Sequence, residues 1–444
     1  MYDRHSSPQE LSELLSPEVS LAQTRETASH LFSCGECWRR ASNVLLRLMK
    51  TRTTGSDRDP ALQSLLERFN LEQARLEERL IAQAIVGDLK SLKQRARRER
   101  LTKLRGLSRS VVEELLVASR SASPLEGEEW ASLALLVCHQ LSPEVYSEAV
   151  RADLLAETYS ELASSRRRGA RWNSAREALR LGQEQANRGS RNPVIVGLLL
   201  AIEGAIEGDV GELEKAEAIL MQARSNFEKA GEHRLVARTL VQLAYVLMDA
   251  EPARSLTILQ EGNGKIPETD KRLLLLAEST RIDCLVTLGD GAEAMRRFEA
   301  LSDLWDQIAD PFFQLRRRFF AGRLLESVGR YSEADSLFEQ VIALDLEQRS
   351  TKSLFLDLVY LFGSFVRRGD LEKAVDVCHR AVRDLSVLDI EEDSLKPMRA
   401  LWIGLGQRAQ QGKVGLDLVL RSRHFIRNQW RAGGDPLATK ESAL

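Results

Sequence analysis

Apolar residues recur at helical spacing along most of the chain, and the clearest pattern repeats every 40 residues. Gly289, Gly329 and Gly369 are each followed by a short polar turn and, five residues later, by an alanine. Further apolar residues follow 9 and 12 positions after each glycine, on the same helical stripe as the alanine. The pattern predicts helical hairpins. The glycine ends the first helix in the left-handed conformation, and the alanine lies where two helices cross.

Weaker copies of the same pattern lie upstream and at the C-terminal end. Gly211 is followed by Ala216, Gly169 is followed by Ala175, and residues 249–252 contain a turn marked by proline. A degraded copy surrounds Gly412. Hairpins of fixed period stack into repeat arrays with atypical units at the ends. We therefore expect an all-α protein with an α-solenoid over residues 144–430.

The segment 315–345 resembles the tetratricopeptide repeat family. The residues that carry the resemblance are Ala321, Gly322, Leu325, Gly329, Tyr331, Ala334, Phe338, Leu344 and Asp345. The period near 40, the missing early aromatic residue and the missing final proline depart from that family, so we describe the array as tetratricopeptide-like.

The resemblance implies that the first helices line a concave groove that binds peptides or helices. The predicted groove residues are Arg316, Phe319, Arg323 and Glu326 around Gly329, and Leu356, Val359, Gly363 and Arg367 around Gly369. The Lys/Asn combination that grips a terminal carboxylate is missing, so a chaperone-tail clamp is disfavoured.

Composition narrows the class of protein. Hydrophobic residues are 43% and charged residues 29% of the 444 residues, and the net charge is -2, so no global field favours nucleic acid or anionic lipid. The longest apolar stretch, 194–202, is too short to span a bilayer. No secretory signal is visible, and five cysteines do not form a disulfide framework. We expect a cytoplasmic protein, and we interpret the basic segment 90–105 as a solvated helix face.

A cluster of histidine and cysteine lies near the start of the chain. Cys34 and Cys37 are one helical turn apart, the spacing that a tetrahedral zinc ion needs from one segment. His30 lies one turn before Cys34, and His5 supplies a fourth ligand. Four protein ligands leave no open position, so the pattern predicts structural Zn2+. A redox role for the cysteine pair is disfavoured, because no βαβ unit accompanies it.

The same four residues resemble the ligand set of the zinc-binding anti-sigma factor domain of bacteria. The resemblance covers residues 1–50 and implies a zinc-stapled helical module that clamps a protein partner, with a sigma factor as the partner. Residues 51–143 are then a linker with connecting helices, and 431–444 a flexible tail. We therefore predict a bacterial, non-enzymatic regulatory or adaptor protein with a second partner or signal on the solenoid.

Two alternative functions stay open at this point. One is a scaffold for complex assembly in which zinc only stabilises the first helices, and the other is a regulator whose solenoid senses a ligand. No phosphate-binding loop and no nucleophile–base pair is visible, so we predict no enzyme. Cys138 and Cys378 each precede a histidine, but adjacent residues on a helix point about 100° apart, so we assign both cysteines, and Cys284, to the core.

Overall fold

The computed structural model describes residues 60–104, 106–348, 351–386, 388 and 392–426. The chain divides into two units, Met1–Asp88 and Leu89–Leu444. Within the described residues all regular structure is helical, in 19 helices. The all-α expectation is therefore confirmed for this part of the chain.

The helices follow one another with short connections. The first unit contributes α1 (Pro60–Lys90), whose last two residues lie in the second unit. The second unit contains α2 (Gln94–Lys103), α3 (Arg109–Ser121), α4 (Pro124–Gln140), α5 (Glu148–Arg168), α6 (Trp172–Arg188), α7 (Pro193–Asp209), α8 (Leu213–Lys229), α9 (His233–Leu247), α10 (Pro252–Asn263), α11 (Lys271–Thr287), α12 (Gly291–Ala300), α13 (Ser302–Asp306), α14 (Pro311–Ser327), α15 (Tyr331–Gln348), α16 (Thr351–Arg368), α17 (Leu371–Leu385), α18 (Glu392–Gln410) and α19 (Leu416–His424).

The sequence pattern also predicts two helices, over 61–86 and 88–105, and the structure places the boundary between them differently. The structure continues α1 to Lys90 and begins α2 at Gln94. The Nε of Arg97 donates to the carbonyls of Leu89 and Leu92, at 3.1 and 3.0 Å. The guanidinium also lies 4.3 Å from the centre of the Trp130 ring. Arg97 therefore holds the break between the helices and is not part of a solvated basic face.

Helices α3 to α17 form seven hairpins, with the short α13 inserted before the sixth. In each hairpin a first helix packs against a second helix, and the first helices α3, α5, α7, α9, α11, α14 and α16 also contact one another in that order. Hairpins of this kind begin at Arg109, before the predicted start at 144. After the hairpins, α18 packs on α17, whereas α19 packs back on α16.

The repeat pattern read from the sequence has the expected structural meaning. Gly289, Gly329 and Gly369 end first helices with φ of 87°, 79° and 74°, a region in which a Cβ atom is strained. In the second to seventh hairpins, the small residue that follows the turn is fully buried where the two helices cross. This position is occupied by Ala175, Ala216, Ser255, Ala294, Ala334 and Ala374. The 39 to 41 residues between successive members set the period of the array.

One repeat replaces the small apolar residue by a serine. Ser255 takes the place of the crossing alanine, and its hydroxyl donates to the carbonyl of Ala244 at 2.8 Å across the hairpin. The Sγ of Cys284, on the next first helix, lies 3.3 Å from the same hydroxyl. The buried hydroxyl is therefore satisfied, and a turn with no glycine–alanine signature still forms a hairpin of the array.

Candidate protein-binding face

The packing of α9 shows which side of a first helix does not pack against the neighbouring helices α8, α10 and α11. Val236 and Leu240 pack on α8, and Ala237, Val241 and Ala244 pack towards α10 and α11. Arg238, Gln242, Tyr245 and, just past the helix end, Asp249 lie on the side away from these contacts. We call the corresponding side of all seven first helices the first-helix face.

The residues predicted for binding on α14 lie on this face. Phe319 meets the ring of Tyr360 edge-on, with centroids 5.0 Å apart. Arg316 lies 5.3 Å from the centre of the Phe320 ring. Arg323 is 4% exposed and forms an ion pair with Asp283 of α11. The predicted side chains of α14 therefore come together, but two of them already pack against neighbouring repeats.

Glu326 and Arg367, two further predicted residues, form an ion pair between α14 and α16. The prediction is wrong for Leu356 and Val359, which are buried in the hydrophobic core. The Nη1 of Arg367 lies 2.7 Å from the Oε1 of Glu326, whose side chain is buried. Burial raises the pKa of Glu326, while the charges of Arg367 and Arg323 oppose the rise. The pair therefore contributes to the packing of two repeats as well as to the surface of the face.

Charged residues on the first helices pair with residues about one repeat away. Arg167 contacts Asp209 at 2.8 Å over 42 positions, Arg323 contacts Asp283 over 40 positions, and Arg367 contacts Glu326 over 41 positions. Each pair bridges two consecutive first helices. The first-helix face is thus a row of arginine–carboxylate contacts, with a spacing that matches the repeat.

The N-terminal half of the face carries arginine side chains around a buried carboxylate. Arg120 of α3 donates to Glu161 of α5 at 3.2 Å. Glu161 is buried, and desolvation raises its pKa, opposed mainly by Arg120 and Arg168. Arg238 of α9 is an exposed residue, but desolvation by the surrounding protein lowers the pKa of its guanidinium, and the charge of Glu161 opposes this shift.

The last helix lies on the C-terminal part of the same face. Helix α19 packs on α16, and a Cβ atom placed on Gly363 would come within 2.7 Å of Val419. The Nη2 of Arg423 lies 3.0 Å from the Oδ1 of Asp249, and both side chains are at most 10% exposed. The guanidinium also lies 5.3 Å from the centre of the Tyr360 ring. Gly363, predicted to line the groove, is thus covered by the chain itself.

Sequence reasoning missed several residues of this face, namely Tyr360, Asp283, Asp249 and Arg423. Asp283 and Arg323 each lie six residues before a repeat glycine. Opposite charges at the same position of two successive repeats were therefore a sequence signal for this ion pair. Tyr360 follows the predicted Val359 directly. Nothing in the local pattern indicates that Arg423 reaches a residue 174 positions away.

The zinc prediction falls on residues that the structure does not describe. His5, His30, Cys34 and Cys37 all lie outside the described residues, as does the predicted tail. Among the residues that are described, no cluster of three or more histidine, cysteine or acidic side chains could hold a metal ion. The zinc site therefore stays a prediction from the sequence.

The three described cysteines behave as the sequence predicts. Cys138, Cys284 and Cys378 are buried and carry reduced thiols. Burial raises the pKa of both Cys138 and Cys378 to about 12, so neither thiol forms a thiolate near neutral pH. The assignment of all three to the core is confirmed.

Comparison with known proteins agrees with the repeat geometry. A model described as tetratricopeptide repeat matches residues 319–350. The array is tetratricopeptide-like. The matched segment contains the second half of α14 and all of α15, the hairpin on which the sequence resemblance is strongest. No curated protein matches the chain. Within the described residues, every helix is too short or too polar to serve as a transmembrane span.

Proposed function

We propose that this chain is a non-enzymatic regulatory or adaptor protein that binds a protein partner on the first-helix face. The observation that carries the proposal is the continuous row of seven first helices in a tetratricopeptide-like array. Repeats of this type generally mediate contacts between proteins. Arg238 is an exposed residue of this face and gives a partner a first charged contact.

Site-specific crosslinking tests this proposal. A photoreactive amino acid replaces Arg238 on the first-helix face in one variant and the exposed Gln222 on the second helix α8 in a matched variant. After irradiation in cells of the source organism, we expect discrete protein adducts at position 238 and none at position 222. Equal adducts at both positions, or adducts only at position 222, would exclude the first-helix face as the binding surface.

We further propose that residues 1–50 form a zinc-stabilised module that contacts a second protein, with a sigma factor as the candidate. The support is the sequence pattern of His5, His30, Cys34 and Cys37 and its resemblance to the anti-sigma domain. The test compares full-length wild type with the Cys34→Ser/Cys37→Ser variant for binding to purified sigma factors. We expect binding by wild type and at least tenfold weaker binding by the variant.

The alternative functions predict different results in the same experiment. A scaffold with purely structural zinc would bind its partners equally well before and after the cysteine substitutions. A ligand-sensing regulator would bind its partner only after a small molecule is added. Binding of no sigma factor by wild type would remove the sigma-factor proposal and leave the proposal for the first-helix face intact.

A further inference from the structure

We propose that α19 occupies a helix-binding groove on the first-helix face, and that the partner of this groove is an amphipathic helix with an apolar residue and, four positions later, an arginine. The partner helix takes the place of α19. The inference deepens the proposed function and rests on it, because it names the kind of partner that the C-terminal part of the face accepts.

The groove floor consists of residues from two repeats, those that contain α16 and α9. Gly363 of α16 leaves a notch into which Val419 fits, since no Cβ separates the two helices. Tyr360, one turn earlier on α16, provides an aromatic surface beneath Arg423. Asp249, past the end of α9, closes the site with a carboxylate that is 8% exposed. The space above Gly363 selects an apolar residue of the bound helix. The ring of Tyr360 and the carboxylate of Asp249 select a guanidinium.

The side of α19 that faces the groove shows the chemistry of the partner. Val419 and Arg423 are one helical turn apart and therefore point to the same side. Leu418 and Ser422 are buried on the same side, whereas Leu416 and Leu420 on the outer side are 44% and 51% exposed. Arginine suits this position because its planar group pairs with a carboxylate and stacks on an aromatic ring at the same time.

Three features allow α19 to exchange, although Leu418 and Val419 pack into the same hydrophobic cluster as α16 and α18. The helix has nine residues, and helices of that length are marginal without tertiary contacts. It follows a turn that contains Gly412, with a φ of 66°, and Gly415, so the connection can adopt other conformations. It packs mainly on α16, two helices before its neighbour α18, so its release leaves the seven hairpins intact.

Occupation by α19 has a quantitative consequence for binding. A partner gains access only to the fraction of molecules in which α19 is released, and its apparent affinity falls by that fraction. Weakening α19 without changing the groove therefore tightens partner binding. Changing the groove weakens binding of both helices.

A peptide with the sequence of residues 414–426 serves as the probe, labelled with a fluorophore and added to the full-length chain. Fluorescence anisotropy gives the dissociation constant. The variants Arg423→Gln and Val419→Asp alter only α19 of the protein, and circular dichroism at 222 nm checks that each remains folded. We expect both variants to bind the peptide at least tenfold more tightly than wild type. Arg421→Gln, on the outer side of α19, is the matched control and should bind as wild type does.

Two further measurements locate the peptide in the groove. Adding Asp249→Asn to the Arg423→Gln chain should abolish the tenfold gain, because the arginine of the peptide loses its carboxylate. A peptide with glutamine in place of that arginine should bind the Arg423→Gln chain at least tenfold more weakly.

Three results would overturn the proposal. The first is equal peptide affinity for wild type, Arg423→Gln and Val419→Asp, and the second is a gain that survives Asp249→Asn. The third is a wild-type dimer by light scattering that Val419→Asp converts to monomer, which would assign the groove to a second copy of the chain. Crosslinking at position 238 does not involve α19, so failure of the peptide experiment is distinguishable from failure of the proposed function.

Discussion

Two buried carboxyl groups between α15 and α16 give the stability of this protein a specific pH dependence. Asp345 is 1% exposed and Asp357 is 3% exposed, and their side chains share a hydrogen bond. Burial raises the pKa of Asp345 from 3.8 to about 7, and the hydrogen bond to Asp357 opposes the rise. Under mildly acidic conditions, Asp345 is therefore protonated in the folded protein. At the same pH, it is ionised in the unfolded chain.

The sign and size of the effect follow from proton linkage. Because the folded state holds the proton more tightly, stability is greatest below the unfolded pKa and is lost as the pH rises through the folded pKa. One pKa unit corresponds to about 1.4 kcal/mol, so wild type should lose about 3 kcal/mol of unfolding free energy between pH 5 and pH 8 through this group. Asp345→Asn cannot ionise and should not show this loss.

Urea unfolding followed by circular dichroism at 222 nm measures the difference at pH 5, 6, 7 and 8. We expect Asp345→Asn to be less stable than, or equal to, wild type at pH 5 and more stable at pH 8. Asp376→Asn, at an exposed position of α17, is the control and should follow the pH dependence of wild type. Parallel curves for wild type and Asp345→Asn would refute the reasoning, because they would mean that Asp345 is already ionised in the folded state at pH 5.

Three further predictions address the repeat and the zinc site. Gly329→Val forces a β-branched residue into a φ of 79° and should lower the unfolding free energy by about 1–2 kcal/mol, whereas valine at an exposed helical position should cost less than 1 kcal/mol. Phe338→Ala removes a fully buried ring that packs against Gly322 and should cost about 3–5 kcal/mol in urea unfolding; a loss below 1 kcal/mol would contradict this packing. Cys34→Ser/Cys37→Ser should reduce zinc, measured by plasma mass spectrometry, from about one ion per chain to none, and unchanged zinc would disprove the ligand assignment.

The features that could be predicted from the sequence are those determined within one repeat. Glycine in a left-handed turn and a small residue at a helix crossing impose constraints on their immediate neighbours, so Gly329 and Ala334 are visible as a pattern. The same reasoning selected Phe319, Arg323 and Glu326, because helical periodicity decides which residues share a side with one another. Periodicity does not predict whether that side of the helix faces solvent or another helix.

The features that were missed depend on contacts between distant parts of the chain. Arg423 and Asp249 are 174 residues apart, and neither lies in a recognisable motif. The hairpin formed by α9 and α10 has serine at the crossing position, so its turn appeared only as a weak copy. The start of α2 was also misplaced, because Arg97 ends the preceding helix through its side chain, which a propensity argument treats as solvated.

The charged contacts between consecutive first helices make the repeats individual rather than interchangeable. Asp283, Arg323 and Gly363 occupy the same position in three successive repeats, and only the first two can form an ion pair with each other. Excision of residues 290–329 would preserve the alternation of first and second helices, yet it would place Asp283 opposite Gly363. Loss or duplication of a single unit would thus leave a buried charge without its ion-pair partner. The number of units in this part of the array is therefore fixed by electrostatics as well as by length.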